Sequence, residues 1–193
     1  MAKIKIIGLV LLSLFVITTT GCQSKRVENT TLTKIGAELI EIDEAAEEYS
    51  RRLQMPKTSV LYNFSTSSKY GILLKVKRDR KIDVFLLEKQ YPSVVAIRCS
   101  KRVAGEQKVD KFVYSLLSQE DDPSIARHLL FFDKMFKEGF LDEEGNAQDD
   151  ICVYSEYFVD QMTERVDIKS NTVIFSKEEI TRLAKDYLQI TGE

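Results

Sequence analysis

His128 is the only histidine in 193 residues, so chemistry that needs a neutral base near pH 7 has one place to find it. Such a base needs a nucleophile beside it and an acid to orient it, yet neither Gly-x-Ser-x-Gly nor His-Glu-x-x-His occurs. His128 lies three residues after Ile125 and four before Phe132, beside an apolar stripe, which reads as a partly buried structural histidine. With 8 Gly in the whole chain, neither the phosphate-cradling loop nor the dinucleotide-binding glycine pattern is present. Carboxylates cluster at Asp121-Asp122, Asp142-Glu143-Glu144 and Asp149-Asp150, as a glycosidase would use, but 30 acidic residues make such clusters common by chance. Asp142, Glu144, Asn146 and Asp150 alternate like calcium ligands. Gly145 then falls at the fourth loop position rather than the sixth, and Val153 takes the place of the bidentate Glu, so a solvated acidic loop is expected. No catalytic residue, metal or cofactor is expected.

The composition, 44% hydrophobic and 30% charged with 3 Pro, is that of a folded soluble domain and excludes disorder, collagen-like repeats and a bundle of membrane spans. A formal charge of −2 argues against a generally basic nucleic-acid binder, and no nucleic-acid partner is expected. Lys3 and Lys5 precede residues 6–17, an uncharged run in which only Gly8 and Ser13 are not apolar. As a helix that run is about 18 Å long, short of a hydrocarbon core of roughly 30 Å, so it has the layout of a signal peptide.

Thr19-Thr20-Gly21-Cys22 resembles the lipobox of bacterial lipoprotein precursors, in which small residues precede a cysteine that becomes the mature N-terminus. The likeness covers about the first 25 residues, and Thr19 departs from it where Leu or another aliphatic is usual. It implies cleavage between Gly21 and Cys22, a diacylglyceryl group on the Cys22 thiol, and frequent acylation of the new amine. Two or three chains would hold the protein stably to a bilayer. Gln23 in place of Asp implies, for a Gram-negative host, an outer-membrane lipoprotein facing the periplasm. The expected organisation is a signal peptide over 1–21, a tether over 22–32 and one extracytoplasmic α+β domain over 33–193.

Lipidation would consume Cys22 and leave Cys99 and Cys152, too few ligands for a closed zinc site with the one histidine. In an oxidising compartment the two remaining cysteines would form one disulfide; two buried free thiols are the other reading. There is no Cys-x-x-Cys to support a thioredoxin-like role.

These residues need a scaffold, and the hydrophobic pattern predicts one. Ile35, Leu39, Ile42, Ala46, Tyr49 and Leu53 recur at helical spacing up to Met55-Pro56. Alternation then predicts strands through Val60, Tyr62 and Phe64, through Ile72, Leu74 and Val76, and through Ile82, Val84 and Leu86, with Arg78-Asp79-Arg80 as a hairpin break. Val94 to Ile97 reads as a central strand, so three or four strands form a meander. Val109, Phe112, Val113, Leu116 and Leu117 predict a helix. Asp122 as cap, Pro123, the stripe Ile125, Leu129, Phe132 and Phe136, and Gly139 as exit predict another over 123–138. Residues 151–162 fit either period and lean to helix; 166–175 predict one or two strands. Ser176-Lys177-Glu178-Glu179 is a capping box opening a final helix. The expected fold is α+β, a mostly antiparallel sheet of about four to six strands packed with helices.

Charge is unevenly placed, with 12 basic and 5 acidic residues over 69–111 (net +7) against 8 and 18 over 112–193 (net −10). Lys75 and Lys77 should project from one sheet face, to meet an acidic protein partner, lipid phosphates or, as the first expectation, the acidic C-terminal helices of the same chain. The leading functional expectation is a non-enzymatic, protein-binding lipoprotein of the cell envelope, of an assembly, secretion-accessory or immunity type. An envelope hydrolase with carboxylate chemistry is an alternative. So is a small-ligand carrier, with Phe85 and Leu87 lining a cavity.

Overall fold

Two strands in immediate succession, β1 (Ser24–Thr30) and β2 (Leu32–Glu41), carry the chain from one sheet into another in a computed structural model that describes residues 24–85, 88–105, 108–118, 121–160 and 164–192. Next come α1 (Ile42–Leu53), α2 (Lys57–Phe64), β3 (Tyr70–Arg78), the paired strands β4 (Ile82–Phe85) and β5 (Glu88–Gln90), β6 (Val95–Arg98), α3 (Cys99–Val103) and β7 (Val113–Leu116). The second half runs β8 (Ile125–Phe131), α4 (Phe132–Lys137), β9 (Ile151–Tyr154), β10 (Glu156–Asp160), β11 (Glu164–Ser170), β12 (Val173–Phe175) and α5 (Lys177–Thr191). The class is α+β and the pairing mostly antiparallel. The 12 strands among the described residues exceed the four to six expected, and they divide into sheets ordered β2-β3-β8-β7, β12-β9-β6 and β1-β11-β10, plus the β4-β5 pair.

The main core lies between sheets. The inner face of the four-stranded sheet (Ile72, Leu74, Val76, Leu130) meets Ala96, Ile151, Val153 and Phe175 from β12-β9-β6, closed by Met135 and by Ile180, Leu183 and Tyr187 of α5. Phe132 and Tyr187 stack with centroids 4.0 Å apart. The expected capping box opens α5, with Ser176 Oγ accepting from the Glu179 amide at 3.3 Å. Cys99 and Cys152 form a disulfide at the end of the β6–β9 ladder, where Ile97 is in register with Cys152.

Several expected elements change type. The stripe assigned to a helix from Ile35 is strand as far as Glu41; the helix starts at Ile42, whose repeat with Ala45, Ala46 and Tyr49 packs on the sheet. Val60, Tyr62 and Phe64 would share a face in a strand. They lie on α2 instead, where a step of two turns Tyr62 to the opposite side, 85% exposed, while Val60 and Phe64 are buried. Residues 125–131 form β8, not a helix: all but Ile125 are buried, and a central strand covered on both faces shows no alternation. The expected cap, Asp122, instead accepts from the Ser124 amide at 3.0 Å and turns the chain into that strand. Gly139 does end the helical turn of α4, at φ 63°. The expected helix through Val113 and Leu116 is the strand β7, and 151–160 is β9 and β10.

The meander is likewise replaced, because β3 pairs with β2 and β8 while β4 pairs with β5. Arg78-Asp79-Arg80 is a junction rather than a hairpin turn. The buried Arg78 guanidinium donates to the carbonyls of Ser124 (3.1 Å), Pro92 (3.0 Å) and Pro123 and to Ser118 Oγ (2.5 Å), and burial holds its pKa below the usual range. Asp79 accepts from Thr30 Oγ1 at 2.6 Å and the Thr31 amide at 2.9 Å, fixing the passage from β1 to β2. Ser24–Thr30, expected as part of a spacer, is thus a paired strand.

Candidate interaction face

The outer face of the four-stranded sheet is divided. Leu73, Leu129, Phe131 and Leu116 are covered by the α1–α2 pair through Ile42, Ala45, Ala46, Val60 and Phe64. Phe64 meets Tyr114 edge-on at 4.9 Å, which closes this second core. Gly71 is what lets α1 approach so closely: a Cβ there would sit 2.7 Å from the Leu130 carbonyl oxygen and 2.9 Å from Ile42 Cδ1.

Past the helices, alternation along β3 places Lys75 and Lys77 on this same outer face, with Arg127 in register with Lys75. Lys75 Nζ pairs with Glu38 at 2.9 Å, and Lys77 is exposed. Arg127, 3% exposed, donates from Nη1 to Glu48 at 2.7 Å and from Nη2 to the Leu117 carbonyl at 3.0 Å, while its Nε is buried without a hydrogen-bond partner. Arg52 of α1 has an equally unpartnered buried Nη1. Burial, together with neighbouring Tyr114, raises the Tyr49 pKa, and the charges of Arg52 and Arg127 act against the rise. Lys75 and Arg127 thus each meet a carboxylate, Glu38 of β2 and Glu48 of α1, and Asp122 acts electrostatically on Lys77. The first expectation, that Lys75 and Lys77 lie against the acidic C-terminal helices, is not what forms here. Ion pairs between the two stretches form instead at Lys111–Glu138 (3.3 Å) and Arg102–Glu156 (3.7 Å).

His128 lies on the inner face of β8, 2% exposed, with Ser115 Oγ 3.0 Å from Nδ1 and no hydrogen-bond partner on Nε2. Burial, then the charge of Arg78, pushes its pKa down to about 4, so the ring is neutral at pH 7. Ser115 is exposed on the edge strand β7, but no acid orients the ring, so the pair lacks the third member of a nucleophilic set. Sequence spacing gave no sign of the Ser115–His128 contact, which needs β7 and β8 to pair.

The acidic loop is spent on structure. Asp142 accepts from the amides of Asn146 (2.8 Å) and Glu144 (3.1 Å) and from Asn146 Nδ2, Asp149 accepts from the Ser100 amide, and Asp150 from that of Lys177. Among the described residues no group of three metal-ligating side chains assembles. An open groove of about 540 Å³ runs between this loop and α5, lined by Asn146, Lys177, Thr181, Arg182 and Lys185.

Gly21 and Cys22 lie outside the described residues, as does Leu87, while Phe85 ends β4. No helix among the described residues is long and apolar enough to cross a membrane. Comparison with protein-family models, with curated proteins and with solved structures gives no match to this chain.

Proposed function

We propose that the chain is the precursor of a membrane-tethered lipoprotein of the cell envelope, acylated at Cys22, whose α+β domain binds another protein without catalysing a reaction. The observation that carries the reading is the order of residues at the N-terminus: Lys3 and Lys5, an uncharged apolar run, then Gly21-Cys22. The Cys99–Cys152 disulfide supports it, since such bonds belong to oxidising compartments outside the cytoplasm. For the partner, Lys77, exposed on the outer face two residues along β3 from Lys75, supports an acidic protein surface, because no carboxylate among the described residues lies within ion-pair distance of it.

Intact-mass spectrometry and membrane fractionation test the tether. The protein is expected as a cleaved, acylated species in the membrane fraction, and Cys22→Ser as an unprocessed or unanchored one. Unchanged mass and fractionation on Cys22→Ser would refute the assignment. A photocrosslinker at Lys77 tests the partner. One discrete adduct, lost with Lys75→Glu and at high salt, is expected; repeated absence of any specific adduct counts against the binding face.

A further inference from the structure

We infer that the open face of the β1-β11-β10 sheet, at the end bearing Lys25, Arg165 and Phe158, lies against the lipid headgroups of the membrane that holds Cys22. The inference deepens the lipoprotein reading and rests on it. Its basis is the absence of slack. Strand β1 begins at Ser24, two residues after the acyl acceptor, and two residues reach at most about 7 Å. From Ser24 to Thr30 every residue is in register with β11, from Glu164 to Ser170. The far end of β1 is fixed as well, by the Asp79 contacts at Thr30 and Thr31 and by Asn171, whose Oδ1 accepts from the Leu32 amide at 2.7 Å and whose Nδ2 donates to its carbonyl at 2.9 Å. A lipid on Cys22 therefore holds the folded sheet itself, not a string leading to it.

Strand alternation says which side is free. Val166 and Ile168 turn inward onto Ile82. Lys25, Val27, Arg165, Asp167 and Phe158 turn outward, as the Lys25–Asp167 pair at 2.9 Å and the Arg165 guanidinium 4.0 Å from the Phe158 ring require. Val27 is 52% and Phe158 53% exposed. A phenyl ring under one cation, with a second across β11, both on long aliphatic stems, suits the headgroup layer, where apolar bodies sink and charged tips stay wet. Lys25 and Arg165 share Asp167, whose carboxyl they hold below the usual range, and Asp160 is in register with Arg165. The end is close to neutral, so the covalent link rather than attraction to anionic lipid sets the apposition, and salt should not release it.

The chain contains no tryptophan, which makes an introduced indole the sole reporter. Phe158→Trp is compared with Tyr62→Trp on α2, beyond the opposite end of β2, each in acylated full-length protein in phosphatidylcholine vesicles with brominated acyl chains. Denaturation midpoints matching the parent keep the comparison on folded protein. Phe158→Trp should lose roughly half its emission relative to unbrominated vesicles, because bromines and ring share a layer about 5–10 Å deep. That loss should persist in 1 M salt, while Tyr62→Trp is unchanged. Quenching of Phe158→Trp no greater than that of Tyr62→Trp, in protein whose mass carries the acyl groups, overturns the inference. Quenching abolished by salt overturns it too. A bare Cys22 by intact mass brings down the lipoprotein reading, and this inference with it.

Discussion

Removal of the Cys99–Cys152 bond should destabilise the domain by an amount set almost wholly by the unfolded chain. The two cysteines are 53 residues apart, and closing a loop of that length removes roughly 14 cal/mol/K of chain entropy, about 4 kcal/mol at 25 °C. The native state itself gains little from the link, because the β6–β9 backbone ladder already places Ile97 opposite Cys152. The assay is guanidinium denaturation of oxidised protein, of reduced protein and of Cys99→Ala/Cys152→Ala. Both forms without the bond should lose about 4 kcal/mol and melt roughly 8–16 °C lower, as expected for a domain of this size. The m-value should rise, since the released loop lets the unfolded chain expand. Cys152 is 6% exposed, so the alanine variant should be the weaker of the two by up to about 1 kcal/mol of lost packing. A loss under about 1 kcal/mol in both forms, with m unchanged, would refute the entropic account.

Two further perturbations probe the interior. Burial holds the folded-state pKa of His128 near 4 against 6.5 for the free side chain, so the unfolded chain binds the extra proton in that window. Its contribution is therefore complete above about pH 6.5 and falls by up to about 3 kcal/mol as pH drops towards 4. His128→Gln should flatten that part of the stability profile, and an NMR titration midpoint above 6 would contradict the burial argument. Gly71→Ala should cost about 1–3 kcal/mol by chemical denaturation, since its methyl would enter the space of the Leu130 carbonyl and Ile42. Parent-like stability would mean that α1 does not pack this closely on β3.

What could be read in advance follows a physical pattern. The final helix was legible because its signals are local: Ser176 caps an amide three residues away, and Ile180, Leu183, Ala184 and Tyr187 repeat along a single buried face. β3 was legible because Ile72, Leu74 and Val76 turn to the main core, while Lys75 and Lys77 mark the other side. β8 was not, because burial on both faces erases alternation and leaves apolar residues at every spacing, the helical one included. The polar triplet Arg78-Asp79-Arg80 looked like a turn, since its role depends on Pro92, Ser118, Pro123 and Thr30, which only tertiary structure brings near. The same holds for the candidate face. Lys75 and Lys77 could be placed on one side of a strand, but Arg127, Arg52 and the carboxylates of Glu38 and Glu48 join them only through sheet pairing and the docking of α1.

The register of Ser24 with Glu164 ties the first described strand to one synthesised long after it. A nascent polypeptide leaves the ribosome leading end first, so β1 has no neighbour to zip against until β11 has emerged, 140 positions later. Until then its backbone amides and carbonyls stay solvated, and the sheet to which it belongs cannot close. Closure of this sheet is thereby postponed until β11 has been made, by which time every strand of the four-stranded sheet has already emerged.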